Sequence, residues 1–121
     1  MKNDFLVSYL TAALWTTDDN PGSGEWAEHD DWTIENLSWD AYALAMRDCV
    51  AFMRDNADQL SRAGDDSQNG RDFWLTRNRL GTGFWDRGYE DHLSQLLIDA
   101  AHTYGETDLY RGLDGKLYFL R

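Results

Sequence analysis

The side chains able to do chemistry in this chain are mostly carboxylates: 22 Asp and Glu, against three His, one Cys, and 11 Lys and Arg. Carboxylates can divide acid and base roles in a hydrolase, hold a hard cation, or present spaced negative charge to a basic partner. Their spacing argues against the cation. An EF-hand loop starting at Asp18 needs Gly at its sixth position and Glu at its twelfth, and here those positions are Ser23 and His29. His92 and His102 stand ten residues apart on one expected helix, roughly 15 Å along its axis, and cannot share a metal. His29, flanked by Glu28, Asp30 and Asp31, fits no established ligand spacing. Cys49 lies on an apolar stripe, as an inert buried thiol does, and as the only cysteine it excludes an internal disulfide or a multi-cysteine metal site. Arg79-Leu80-Gly81-Thr82-Gly83 is glycine-rich but carries neither a Walker lysine nor a G-x-G-x-x-G pattern, so a turn is expected. No catalytic residue, metal ligand or cofactor is assigned, and a non-enzymatic role is expected. A small enzyme with an unrecognised site is the remaining chemical alternative.

The charge is more informative. The formal net charge is −11, which repels nucleic acid and anionic membranes and suits a partner with a basic groove. Solubility or adaptation to high salt would explain an even spread, but the spread is uneven. Residues 1–70 hold 14 acids against Lys2, Arg47, Arg54 and Arg62, whereas residues 71–121 hold eight acids against seven bases. Between Asp18 and Asp40 there are eight acids and no Lys or Arg. Trp26, Trp32, Ile34, Leu37 and Trp39 lie in the same stretch, so it is not a pure acidic tail, and its aromatics would pin it to the body. The candidate partner-binding face is Glu25, Glu28, Asp30, Asp31, Glu35 and Asp40, with Asp55, Asp58, Asp65 and Asp66 ranked second. A merely solvated charged face is the competing reading.

The elements that must position these groups follow from periodicity. Leu6, Tyr9, Leu10, Ala13 and Leu14 predict a helix from about Asp4 to Trp15. Turn chemistry through Pro21-Gly22 ends it, and a short turn is expected near Thr33–Leu37. Ser38 caps a long second helix to about Arg62. On that helix Trp39, Tyr42, Ala43, Met46, Cys49, Val50, Met53, Ala57 and Leu60 form an apolar stripe, and Asp48, Asp55 and Asp58 face solvent. Residues 63–70 have loop composition. Asp72–Arg77 and Phe84–Asp86 read as short strands, with Phe73, Trp74, Leu75, Phe84 and Trp85 building a sheet core. A third helix is expected from about Tyr89 to Tyr104, stopped by Gly105. Thr107–Arg111 and Lys116–Leu120 then form a hairpin around Gly112-Leu113-Asp114-Gly115. The expected fold is α+β, with three helices packed on a small antiparallel sheet. It forms a single domain, residues 1–121: a helical, strongly acidic part to residue 70, then a strand-strand-helix-hairpin part. No bilayer-spanning run or signal peptide is read.

Asp72-Phe73-Trp74-Leu75-Thr76-Arg77-Asn78 followed by Gly81-Thr82-Gly83-Phe84-Trp85-Asp86-Arg87-Gly88 resembles a widespread family of small acidic phage and mobile-element proteins. The resemblance continues through Ala100-Ala101, Tyr104-Gly105, Asp108-Leu109-Tyr110, Gly112, Asp114-Gly115-Lys116 and Tyr118, and more loosely through the N-terminal part. Arg79-Leu80 stands where Gly-His is frequent in the family. The pattern marks the family and not an activity, but the family includes an anti-CRISPR protein acting on the type I-C system. The resemblance implies binding to type I-C Cascade, at the large subunit that reads the protospacer-adjacent motif, and blockade of target DNA. Composition and charge lead to the expectation of a monomer in the bacterial host cytoplasm that touches neither nucleic acid nor membrane. Such a complex grips DNA through basic residues, so spaced carboxylates could occupy its channel as a DNA mimic. The alternatives are a DNA-mimic inhibitor of another host DNA-binding protein, such as a restriction enzyme or repressor, and the small enzyme named above.

Overall fold

The computed structural model describes residues 3–16 and 33–120. The first helix, α1, spans Asp4–Thr16 and buries Phe5, Leu6, Tyr9, Leu10, Ala12 and Ala13, the apolar face its periodicity predicts. Ile34–Asn36 forms a 3-10 turn capped by Thr33. The helix α2, Trp39–Asp55, starts at Ser38, whose hydroxyl accepts the Ala41 amide at 3.0 Å, as a Ser N-cap should. It stops short of the expected Arg62. Asn56 leaves the helical region, and its side-chain amide joins its backbone N–H on the Phe52 carbonyl. A short helix, α3, follows at Ala57–Ser61.

The largest correction concerns residues 66–77. Expected as loop and then strand, they form one helix, α4, Asp66–Arg77. The Asp65 carboxylate caps it by accepting the Gln68 amide at 2.8 Å. The inward face of α4 carries Asn69, Asp72, Thr76 and Arg77 beside Phe73 and Trp74, all buried, so hydropathy shows no helical period even though burial does. Gly70 has a steric role here. A Cβ at that position would lie 2.2 Å from the Phe5 carbonyl oxygen, so glycine permits the close packing of α4 on α1, the most extensive pairing among the elements.

Phe84–Arg87, also expected as extended, is a second 3-10 turn. The helix α5 spans Asp91–His102, with Leu93, Leu97 and Ala101 inward and Gly105 in the left-handed region just beyond. The strands β1, Leu109–Arg111, and β2, Leu117–Phe119, pair antiparallel with Tyr110 opposite Tyr118. Leu37 adds a parallel bridge to Leu117, which ties the start of α2 to the hairpin. The class is therefore α+β in one small domain, with five α-helices and one two-stranded sheet among the described residues.

The core is a helical aromatic cluster and not a sheet face. Phe52 and Phe73 stack at 4.0 Å, flanked by Phe5, Tyr9, Phe84 and Tyr104. Of the five residues expected in a sheet core, Phe73, Trp74 and Phe84 are buried in this cluster. Leu75 is half-buried, and Trp85 remains 38% exposed. The helix α2 is also rotated from expectation. Ala41, Ala45, Asp48, Cys49 and Phe52 face inward, while Trp39, Ala43, Met46 and Val50 face out. Asp48, expected in solvent, is 4% exposed.

Candidate functional site

Six of the ten candidate acids fall among the described residues: Glu35, Asp40, Asp55, Asp58, Asp65 and Asp66, all exposed. Glu25, Glu28, Asp30 and Asp31 lie outside them. The six are not equivalent. Arg54 Nε donates to Asp55 at 3.0 Å, and Arg62 Nη2 donates to Asp58 at 3.1 Å across one helical turn. The Arg54 guanidinium is held above its ordinary pKa, first by that hydrogen bond and then by the Asp55 charge. Asp65 is occupied as the α4 cap. Asp40 and Asp66 sit in the first turns of α2 and α4, where a negative charge complements the helix dipole. They do not gather at one point, since Asp40 and Asp55 lie at opposite ends of α2, about 22 Å apart along its axis.

Part of the pattern, Asp72, Phe73, Trp74, Thr76, Arg77, Asn78, Gly83 and Phe84, forms a different constellation, which is buried and internally hydrogen-bonded. Arg77 donates to Tyr9 Oη and Asp48 Oδ2, both at 2.9 Å, and to the carbonyls of Gly105 at 2.9 Å and Tyr104 at 3.0 Å. One guanidinium thereby joins α1, α2, α4 and the end of α5. Asp72 accepts two hydrogen bonds from Arg87, at 2.7 and 2.9 Å. Thr76 accepts the Phe84 amide at 3.3 Å, and Asn78 accepts the Thr107 amide at 2.8 Å while donating to the Trp74 carbonyl at 3.0 Å. Trp74 Nε1 donates to Thr16 at 2.7 Å. The two halves of the pattern are thus hydrogen-bonded to each other, Asp72 and Thr76 on one side and Phe84 and Arg87 on the other. Gly83 belongs to the same lock. It adopts φ 141°, and a Cβ there would lie 2.2 Å from Thr76 Oγ1. No buried side-chain nitrogen or oxygen among the described residues lacks a hydrogen-bond partner. A saturated network of this kind specifies a fold.

Burial pushes the Cys49 thiol well above its ordinary value of 9.0, and the Asp48 charge adds to the rise. Burial likewise pushes the Tyr9 hydroxyl far above 10.0, against the opposing charge of Arg77. Both groups are held protonated, the reverse of an activated nucleophile. On the hairpin, the Tyr118 hydroxyl donates to Asp114 at 2.6 Å and the Lys116 amide donates at 2.9 Å, which draws the Asp114 carboxyl below its ordinary value. No group of three or more His, Cys, Asp or Glu among the described residues could hold a metal ion. An open groove of about 790 Å³ runs between α1 and α4, lined by Val7, Ser8, Trp15, Arg71, Leu75 and Arg87 among others. Ser8 spends its hydroxyl proton on the Ser67 carbonyl, and Asp4 is the one carboxylate in the lining. No helix among the described residues is long and apolar enough to cross a membrane.

No protein-family model, curated protein or solved structure matches the chain.

Sequence reasoning missed two features. The Asp48–Arg77 pair joins residues 29 apart and has no local signature. The cap of α4 did have one, an Asp three residues before Gln68, a spacing that marks helix starts.

Proposed function

We propose that this protein is an anti-CRISPR protein that binds type I-C Cascade at its motif-reading large subunit and blocks target DNA as an acidic DNA mimic. The observation that carries the reading is the charge distribution, with eight acids and no base between Asp18 and Asp40. The exposure of Glu35, Asp40 and Asp66, none of them engaged in a described ion pair, supports it. Asp55 and Asp58 contribute less, because each already has an arginine. The buried motif supplies a rigid body on which the carboxylates are carried, and the resemblance it bears supplies the target.

The mode of action is occlusion without turnover. Long-range attraction toward a basic channel speeds encounter and makes binding weaken as salt is raised. The test is a gel-shift titration of purified type I-C Cascade with target DNA, adding this protein first. Loss of the shifted band at near-stoichiometric protein is the expected result. A variant reversing several charges within 18–40 should lose that effect while keeping its circular dichroism. A normal band with the parent protein rejects Cascade as the target and moves the search to another host DNA-binding protein. Normal inhibition by the charge-reversed variant rejects the acidic face.

A further inference from the structure

The rotation of α2 leaves an apolar stripe on its outer face, of which Met53 alone packs against the core among the described residues. Trp39 is 84% exposed, Val50 46% and Met46 38%; Ala43 is exposed and Met53 partly so. Their spacing is four, three, four, three, the a/d repeat by which one helix packs against another. Along one side of the stripe, Asp40, Arg47 and Arg54 recur every seven residues at the position flanking the seam. We propose that this face is a self-association surface, on which α2 of one copy packs antiparallel against α2 of a second.

The occupant follows from the charges. In the antiparallel arrangement centred near residue 48, Met46 meets Val50 of the second copy and Ala43 meets Met53. The flanking rows then face each other in reverse order, so Asp40 lies opposite Arg54 twice over, and Arg54 would share its Asp55 contact at 3.0 Å with Asp40 of the second copy. Arg47 meets its own copy at the symmetry axis, and its charge is already engaged by Asp48 at 3.2 Å. A parallel pair would place the charged row beside Tyr42, Cys49 and Asn56, with no opposite charge to find. Charge complementarity therefore selects a second copy and its direction. One face of a single 17-residue helix is a small interface, so the association is weak and reversible.

Two bodies of net charge −11 repel. Salt screens that repulsion and leaves the apolar seam intact, so self-association should tighten with salt while binding to a basic partner weakens. Sedimentation equilibrium of the full chain at about 0.05 and 0.5 M salt reads this directly. A reversible dimer, tighter at the higher salt, is expected. Val50→Asp, at an exposed site, should keep its circular dichroism and stay monomeric. At intermediate salt, Asp40→Arg and Arg54→Asp should each weaken the dimer about tenfold. The double exchange restores both the opposed pairs and the parent net charge, and should recover the parent affinity. A monomer at every concentration and salt overturns the proposal. So does a dimer that survives Val50→Asp, or a double exchange no tighter than Arg54→Asp alone.

Discussion

Arg77 shows how one side chain can hold a fold and stay hidden from function. From α4, its four hydrogen bonds reach α1, α2 and the turn after α5, and its charge is opposed by Asp48 inside the core. Removing one partner of such a pair strands a buried charge, which costs about 3–5 kcal/mol. Arg77→Met and Asp48→Leu should each lower stability by that order in chemical denaturation. The double variant should cost less than the sum of the two, because no charge is then left alone. Arg79 makes the opposite case. It adopts φ 54° directly after α4, and its amide and that of Leu80 bond the carbonyls of Thr76 and Leu75. This is a Schellman ending whose left-handed position glycine occupies at least cost. Arg79→Gly should stabilise by about 0.5–1 kcal/mol, the relief of a left-handed side chain less the added freedom of the unfolded chain.

Among the elements, α4 decides the architecture, and its start depends on Asp65. Asp65→Ala removes the cap and should cost about 1 kcal/mol, measurable as a shift in denaturation midpoint at unchanged slope. Gly70→Ala should cost more, because its methyl group would meet the backbone of Phe5, and α1 and α4 would have to separate. The hairpin depends on a local contact instead. Asp114 is drawn below its ordinary 3.8, first by the Tyr118 hydroxyl. The contribution of that contact is present above pH 3.8 and lost as the pH falls through the lowered value. The same contact raises Tyr118 above 10.0.

At the scale of the whole molecule, two buried groups set an alkaline limit. Cys49 and Tyr9 hold their protons more tightly folded than unfolded, from ordinary values of 9.0 and 10.0. Stability is intact below pH 9 and falls as the pH rises past 9 and then past 10. Each group contributes a slope of about 1.4 kcal/mol per pH unit above its unfolded value. Cys49→Ala should remove the first step and delay the onset to about pH 10, whatever it costs at neutral pH. Denaturant titrations at stepped pH check this, and an onset unchanged by the substitution would refute the assignment. The two proposed surfaces, the acidic face and the apolar seam of α2, are expected to respond oppositely to salt.

Composition and local pattern were enough to establish the charge excess and its crowding before residue 41, the amphipathic α1 and α5, the Ser38 cap and the terminal hairpin. Each rests on neighbours within one or two turns of the chain. The candidate acids Glu35, Asp40 and Asp66 were legible as exposed carboxylates for the same reason. Tertiary structure alone decided that Asp72–Arg77 is helical. Its inward polar residues are stabilised by Arg87, Phe84 and Asp48, partners that no local period encodes. It also decided which face of α2 turns inward. The sequence offers two candidate faces, one through Trp39, Met46 and Val50 and one through Ala45, Asp48 and Phe52, and hydropathy favours the first. Two alanines that permit close approach, a phenylalanine that stacks at 4.0 Å on Phe73, and a carboxylate that meets Arg77 put the second inside. Specific partners across the core outweighed local hydropathy, and the displaced stripe was left on the surface.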